Sequence, residues 1–273
     1  MPHITTADNT QIYYKDWGRG RPVVLVHGWP LSADSWEDQA LALANAGHRV
    51  IAYDRRGFGR SSQPWSGYDY NSLTDDLREV LKALDVTDAA LVGFSMGGGE
   101  VARYMKKYNG AGITQAALIA SILPFKLKTP DNPLGTEEKA LEETLAGIKK
   151  DRAAFFAGFF RKFYGTDVKP GRVSDELLQA SLNVAMQAGL NATLACAESF
   201  FKTDFRPDLA SFTVPTLIIH GTEDKNVPIE GSARLAAKGI KSATLIEYKG
   251  SPHGLLATDK QRVVDDLLGF LKG

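Results

Sequence analysis

Gly93-Phe94-Ser95-Met96-Gly97 follows directly on the apolar run Ala89-Ala90-Leu91-Val92 and leads straight into a stretch with helical patterning. A strand that must turn into a helix within five residues needs glycine on both sides of the serine. A Cβ at either position would collide with the passing backbone, and the serine at the apex is held at an unfavourable angle. This turn therefore commits the chain to a strand-turn-helix unit that projects one hydroxyl. Two later segments extend the pattern: Asp224 in a turn after another apolar run, and His253 in a loop near the end, in the chain order Ser, acid, His.

The rest of the chain repeats the alternation. Val23-Val24-Leu25-Val26, Val50-Ile51-Ala52-Tyr53, Ala90-Leu91-Val92, Ala116-Ala117-Leu118-Ile119-Ala120, Thr216-Leu217-Ile218-Ile219 and Thr244-Leu245-Ile246 are uniformly apolar, as strands covered on both faces are. Gln11 to Trp17 alternates, as an exposed strand does. Between these runs lie amphipathic helices, the clearest with Leu73, Leu77, Val80, Leu81 and Leu84 on one face; the last carries Val263, Val264, Leu267, Leu268 and Leu271. Alternating strands and helices predict an α/β fold, a parallel sheet wrapped by helices on both faces. From about Ile122 to Ala210 the strand signal stops and gives way to a Pro-rich loop and helical patterns. The expected division is a sheet core over residues 1–121 and 211–273 with an inserted helical cap over residues 122–210.

Composition narrows the function classes. Of 273 residues, 32 are basic and 32 acidic, so the charge footprint of a nucleic-acid binder is missing. No apolar run approaches the ~18 residues needed to span a bilayer. Met1-Pro2-His3-Ile4-Thr5-Thr6 has neither a basic region nor an apolar core, which argues against a secretory signal. Cys196 is the only cysteine, so no internal disulfide or cysteine-based zinc site is expected. The expectation is a cytoplasmic protein without metal. No basic cluster in the sequence points to a phosphate or a long anionic substrate.

A serine hydroxyl is a poor nucleophile near neutral pH. It needs a base within hydrogen-bond reach, and that base needs a carboxylate to fix its tautomer and stabilise its charge. Of the five histidines, His3 lies at the terminus, His48 approaches a strand, and His220 ends a strand inside an apolar run where a buried, hydrogen-bonded role fits. His27 follows a central strand. His253, in Ser251-Pro252-His253-Gly254, lies between the last strand and the last helix, where a side chain can swing over the carboxyl edge of the sheet, and is the expected base. The acid belongs after one of two strands. Ser121-Ile122-Leu123-Pro124-Phe125 offers no carboxylate, whereas Gly221-Thr222-Glu223-Asp224-Lys225 offers two, with Asp224 at the Gly-x-x-Asp spacing and Glu223 as the alternative. Charge developing on a carbonyl oxygen requires main-chain donors. One is assigned to Met96, at a helix N-terminus; the other to Trp29, in the loop after Val26.

Asp54-Arg55-Arg56-Gly57-Phe58-Gly59-Arg60-Ser61, the Gly93 to Gly99 elbow, Thr203-Asp204-Phe205-Arg206-Pro207-Asp208 and Pro252-His253-Gly254 together resemble the bacterial arylesterase and cofactor-free haloperoxidase (perhydrolase) branch of the α/β hydrolases, across essentially the whole chain. The elbow is widespread in that superfamily; the Thr203 to Asp208 stretch is narrower and weighs more. The resemblance implies a mostly parallel eight-stranded sheet with an inserted cap. It also implies hydrolysis of small aryl or alkyl esters through an acyl-enzyme, with water or hydrogen peroxide as acceptor and no cofactor, neither haem nor metal. Relatives of this kind form homo-oligomers, trimers or hexamers. Perhydrolase-like members resemble His27-Gly28-Trp29-Pro30 in their oxyanion loop. Proline fixes its own φ and restricts the residue before it, so Pro30 is expected to raise the share of peroxide chemistry. Whether the Trp29-Pro30 bond is cis or trans stays open at this stage.

By match to family positions, Phe159, Phe200, Ile122, Phe125 and Val227 are expected to line a pocket for small apolar acyl groups. The stripe Phe155, Phe156, Phe159, Phe160 and Phe163 has helical spacing, which is chiefly a packing signal. Arg55-Arg56-Gly57-Phe58-Gly59 lacks the third glycine of a dinucleotide fingerprint and reads as a tight turn. Haloalkane dehalogenases and epoxide hydrolases attack with a carboxylate at the elbow, which Ser95 contradicts. Small-lactam amidohydrolases use the same serine machinery, and ligand-sensing receptors keep it on the same fold. Turnover of simple aryl acetates separates the receptor from the enzymes.

Overall fold

In the computed structural model, which describes residues 1–272, eight strands form one sheet in the order β1-β2-β4-β3-β5-β6-β7-β8. They are β1 (His3–Thr5), β2 (Gln11–Gly18), β3 (Pro22–Val26), β4 (Arg49–Tyr53), β5 (Ala89–Phe94), β6 (Ile113–Ile119), β7 (Thr216–Gly221) and β8 (Ala243–Tyr248). Strands β1 and β2 pair antiparallel and every pairing from β4 to β8 is parallel. The apolar runs β5 and β7 are buried at every position, because helices cover both faces. Strand β1, three residues long with Ile4 opposite Ile12, is too short to leave a periodic signal in the sequence.

Helices α1 (Glu37–Asn45), α9 (Leu255–Thr258) and α10 (Lys260–Leu271) pack together on one face, and α2 (Tyr70–Ala83), α3 (Gly97–Lys107) and α8 (Ala233–Gly239) on the other. Asp69 caps α2 by accepting from the N–H groups of Asn71 and Ser72, and Leu73, Leu77, Val80 and Leu81 are its buried stripe. Each such side chain taken from water contributes about 1.5–3 kcal/mol before the entropy of ordering is subtracted. Among the described residues no helix is long and apolar enough to cross a membrane.

After β6 the chain leaves the sheet. Residues 122–210 contain α4 (Glu138–Lys150), α5 (Arg152–Phe163), α6 (Asp175–Gln187) and α7 (Leu190–Lys202), with only isolated bridges such as Leu127 to Thr136 in place of strands. These helices are tied down by particular bonds. Gly189 N–H donates to Gly57 O at 2.8 Å, Gly254 N–H to Phe163 O at 2.8 Å, and the Trp29 indole N–H to Thr193 O at 3.0 Å. The Thr203 to Asp208 stretch closes the return to the sheet: Arg103 of α3 donates to Asp208 at 2.8 Å, and Phe205 meets Tyr70 edge-on at 4.6 Å.

From β3 the chain crosses to β4 on one side of it and then returns to β5 on the other. The crevice between the carboxyl ends of β3 and β5 is therefore a topological switch point, where open α/β sheets place their ligands. The loops after β6, β7 and β8 leave the same edge.

Candidate active site

Ser95 sits between β5 and α3 with φ of 53°, in the left-handed region that costs a side-chain-bearing residue conformational energy. Its N–H donates to Ile119 O at 2.9 Å, which pins the turn to β6. A Cβ on Gly93 would lie 2.7 Å from the carbonyl carbon of Gly97, and one on Gly97 would lie 2.4 Å from Val26 O. Both neighbours are backbone and cannot move aside, so the two flanking glycines are steric requirements of this turn.

The loop after β8 brings His253 over Ser95, and the turn after β7 brings Asp224 behind it. His253 Nε2 lies 2.9 Å from Ser95 Oγ, and His253 Nδ1 lies 2.6 Å from Asp224 Oδ2. An ionised carboxylate only accepts, so Nδ1 carries the hydrogen and Nε2 is free to accept from the serine. The imidazole is held between Phe94 and Phe163, whose ring centroids lie 5.4 and 5.0 Å from its own. Glu223, the alternative carboxylate, is exposed and faces Arg172 at 3.7 Å.

Asp224 is fully enclosed, and burial alone would raise its pKa. The charge of His253 and the hydrogen bonds from His220 and His253 outweigh that and hold the carboxyl below the ordinary carboxylate range. Its second oxygen accepts from the N–H groups of Asn226 and Val227 at 2.9 and 2.7 Å. His220 is buried; its Nε2–H donates to Val227 O at 2.8 Å and lies 3.2 Å from Asp224 Oδ2. Sequence pattern separated His220 from the base role, but its place behind the carboxylate has no signal in the sequence.

Trp29 and Met96 are both buried and both border the cavity beside Ser95. Among the described residues, neither main-chain N–H has a hydrogen-bond partner. Buried orphan amides are rare in folded proteins, and here two belong to residues that border the same cavity as Ser95. Helix α3, which begins at Gly97 two residues after Ser95, has no side-chain cap at its N-terminus. The Trp29-Pro30 peptide is cis. His27 lies behind the loop: it accepts from Arg55 N–H at Nε2 at 2.9 Å, and its Nδ1 lies 2.8 Å from Gly28 O, the carbonyl of the peptide that carries the Trp29 N–H.

The cavity above Ser95 has a volume of about 510 Å³, within the usual range for small-molecule sites. Of the expected pocket residues, Phe159, Phe200, Ile122 and Val227 line it, and Trp29 packs edge-on against Phe156, Phe159 and Phe200. Phe156, Phe160 and Phe163 of the aromatic stripe are core, while Phe155 joins the lining. Phe125 does not face the cavity. Its ring lies under the Arg206 guanidinium at 5.1 Å, in a side crevice with Leu134 and Gly135, and the next residue, Lys126, faces the cavity instead. Lys126 borders both the side crevice and the cavity, whereas Phe125 borders the crevice alone.

Lys126 also corrects the expectation that no basic cluster serves the site. Lys126, Lys162 and Lys225 come from the loop after β6, from α5 and from the turn after β7, and converge on the lining, which contains no carboxylate. Lys126 Nζ donates to Asn226 O at 2.7 Å and lies 5.1 Å from the Phe201 ring centroid. Burial and, more weakly, the like charge of Lys162 push the Lys126 ammonium down to about 8, against the opposing pull of Asp224. Residues so far apart in sequence leave no local charge run to read.

Residues 21–260 match the alpha/beta hydrolase fold family. The chain belongs to that family. A bromoperoxidase from Bacillus anthracis superposes with a TM-score of 0.95 at 45% identity, covering 97% of this chain and 96% of that one. A non-heme chloroperoxidase of Kitasatospora aureofaciens is 40% identical over 99% of both chains. A bifunctional esterase/perhydrolase of Acinetobacter calcoaceticus is 38% identical over the full length of both. Within the alpha/beta hydrolases the chain thus groups with enzymes of the non-heme haloperoxidase and esterase/perhydrolase kind.

Proposed function

We propose that the protein is a serine carboxylesterase of small aryl or alkyl esters that also makes peracids from hydrogen peroxide without a cofactor. The observation that carries this reading is the continuous relay Ser95 Oγ, His253 Nε2, His253 Nδ1 and Asp224 Oδ2, at 2.9 and 2.6 Å, beside a largely apolar cavity.

Ser95 Oγ attacks the ester carbonyl while its proton passes to His253 Nε2, and Asp224 stabilises the imidazolium. The carbonyl oxygen takes up negative charge opposite the N–H groups of Met96 and Trp29. When the intermediate collapses, His253 returns the proton to the departing alkoxide or phenoxide, leaving an acyl-Ser95. Water, deprotonated by the same histidine, then releases the acid. With hydrogen peroxide as acceptor, the acyl group leaves as a peracid, which transfers an oxygen atom to halide and reverts to the carboxylic acid. The named relatives support both branches. The buried single cysteine fits a reducing compartment such as the cytoplasm.

The test is Ser95→Ala. Hydrolysis of phenyl acetate and peracid formation from acetate and peroxide should both fall, with kcat reduced by roughly a millionfold. Equal activity of the two proteins on phenyl acetate would remove the mechanism.

A further inference from the structure

We propose that the preferred substrates are esters whose acyl chain carries a carboxylate remote from the scissile carbonyl, recognised by Lys126 with help from Lys162; this rests on the esterase reading.

The cavity is apolar next to Ser95, where Trp29, Phe159, Phe200 and Val227 contribute, yet its lining also holds three lysines, half-buried Lys126 and the exposed Lys162 and Lys225, and no acid. Lys225 is partly compensated by Asp167 at 3.5 Å. Among the described residues, Lys126 and Lys162 have no carboxylate within salt-bridge distance. Lys126 is half-buried and directs only one of its ammonium hydrogens, to Asn226 O, within the protein. A half-buried ammonium beside an aromatic ring and lacking a counter-ion is held at a cost, and a carboxylate on the ligand lowers that cost. Methylenes between the ester and the carboxylate fit the aromatic wall. The acyl chain is the part that stays in the cavity through both half-reactions, so the charge is assigned to it. The bond chemistry is unchanged: ester and water give acid and alcohol.

The test compares kcat/KM for monophenyl adipate and phenyl hexanoate, which differ by a carboxylate in place of a methyl group, in wild type, Lys126→Met, Lys126→Arg and Lys162→Met. The adipate to hexanoate ratio should fall at least about tenfold in Lys126→Met, less in Lys162→Met, and least in Lys126→Arg. The ratio cancels any general effect of disturbing the Asn226 carbonyl. An equal ratio in wild type and Lys126→Met overturns the proposal. A second arm needs no turnover: calorimetric binding of monophenyl adipate and phenyl hexanoate to the Ser95→Ala protein. Tighter binding of monophenyl adipate, lost when Lys126→Met is added, supports the anion site even if Ser95 proves not to be the nucleophile. Equal binding of the two esters overturns the site while leaving the esterase reading intact.

Discussion

Asp224 accepts from two main-chain amides through one oxygen and faces two histidines through the other, so its charge is fixed while its geometry is fully determined. Replacing that oxygen with an amide nitrogen would turn an acceptor into a donor aimed at His253 Nδ1 and favour the wrong tautomer. Asp224→Asn should therefore lower kcat on phenyl acetate by about 10³–10⁴ with a much smaller change in KM, measurable by steady-state kinetics. Pro30 acts on the other side of the reacting centre. By restricting the backbone of Trp29 it sets the peptides of the proposed oxyanion loop, and Pro30→Leu should lower the ratio of peracid formation to ester hydrolysis severalfold. An unchanged ratio, from acetate with peroxide against phenyl acetate, would leave Pro30 without a role in acceptor choice. At this scale the candidates Ser95, His253 and Asp224, which the structure brings within hydrogen-bond distance of one another, were picked out by residue type and order alone. His220 was not, because a histidine behind a carboxylate and one filling a core look alike in one dimension.

The strand-turn-helix unit depends on how closely α3 passes the end of β3. Gly97→Ala would put a methyl group 2.4 Å from Val26 O and 2.9 Å from His27 O. The change should destabilise the fold by about 1–3 kcal/mol and lower kcat, because relief requires moving the strand that carries the Trp29 loop. Gly269 in α10 is the matched control: nothing lies within 4 Å of its added Cβ, and Gly269→Ala should be neutral or stabilising by up to about 1 kcal/mol. Urea midpoints for the two variants check the contrast. Elements with a long periodic signal, such as α2 and the buried parallel strands, were readable because burial on one face or two imposes a period. The three-residue β1 was not, since it holds its place through partners distant in sequence.

Across the whole molecule, one buried ion pair joins parts that must keep register. Arg55, just past β4, bonds Glu100 of α3 through Nε at 2.6 Å and His27 O, in the loop after β3, through a terminal nitrogen at 2.7 Å, and Tyr53 donates to the same Glu100 at 2.8 Å. Glu100→Ala would leave the guanidinium buried and unpaired and should cost about 3–5 kcal/mol in chemical denaturation, whereas Arg55→Met with Glu100→Leu should recover part of the loss. In sequence Arg55 and Arg56 belong to a glycine-containing turn and look solvated. Only packing reveals that both are enclosed, Arg56 against Asp76 and Arg55 against Glu100.

The amino-acid sequence by itself determined the layered α/β architecture, the inserted helices and the chain order of the proposed nucleophile, acid and base, because those follow from local rules: side-chain period, glycine sterics and the chemistry each residue type can perform. Tertiary structure alone decided that Phe125 turns away while Lys126 faces the cavity, that three scattered lysines meet there, and that Trp29 and Met96 keep unpaired amides beside Ser95. Direction and convergence depend on how separate elements pack, and no local pattern along the chain encodes the distance between residues that meet only after folding.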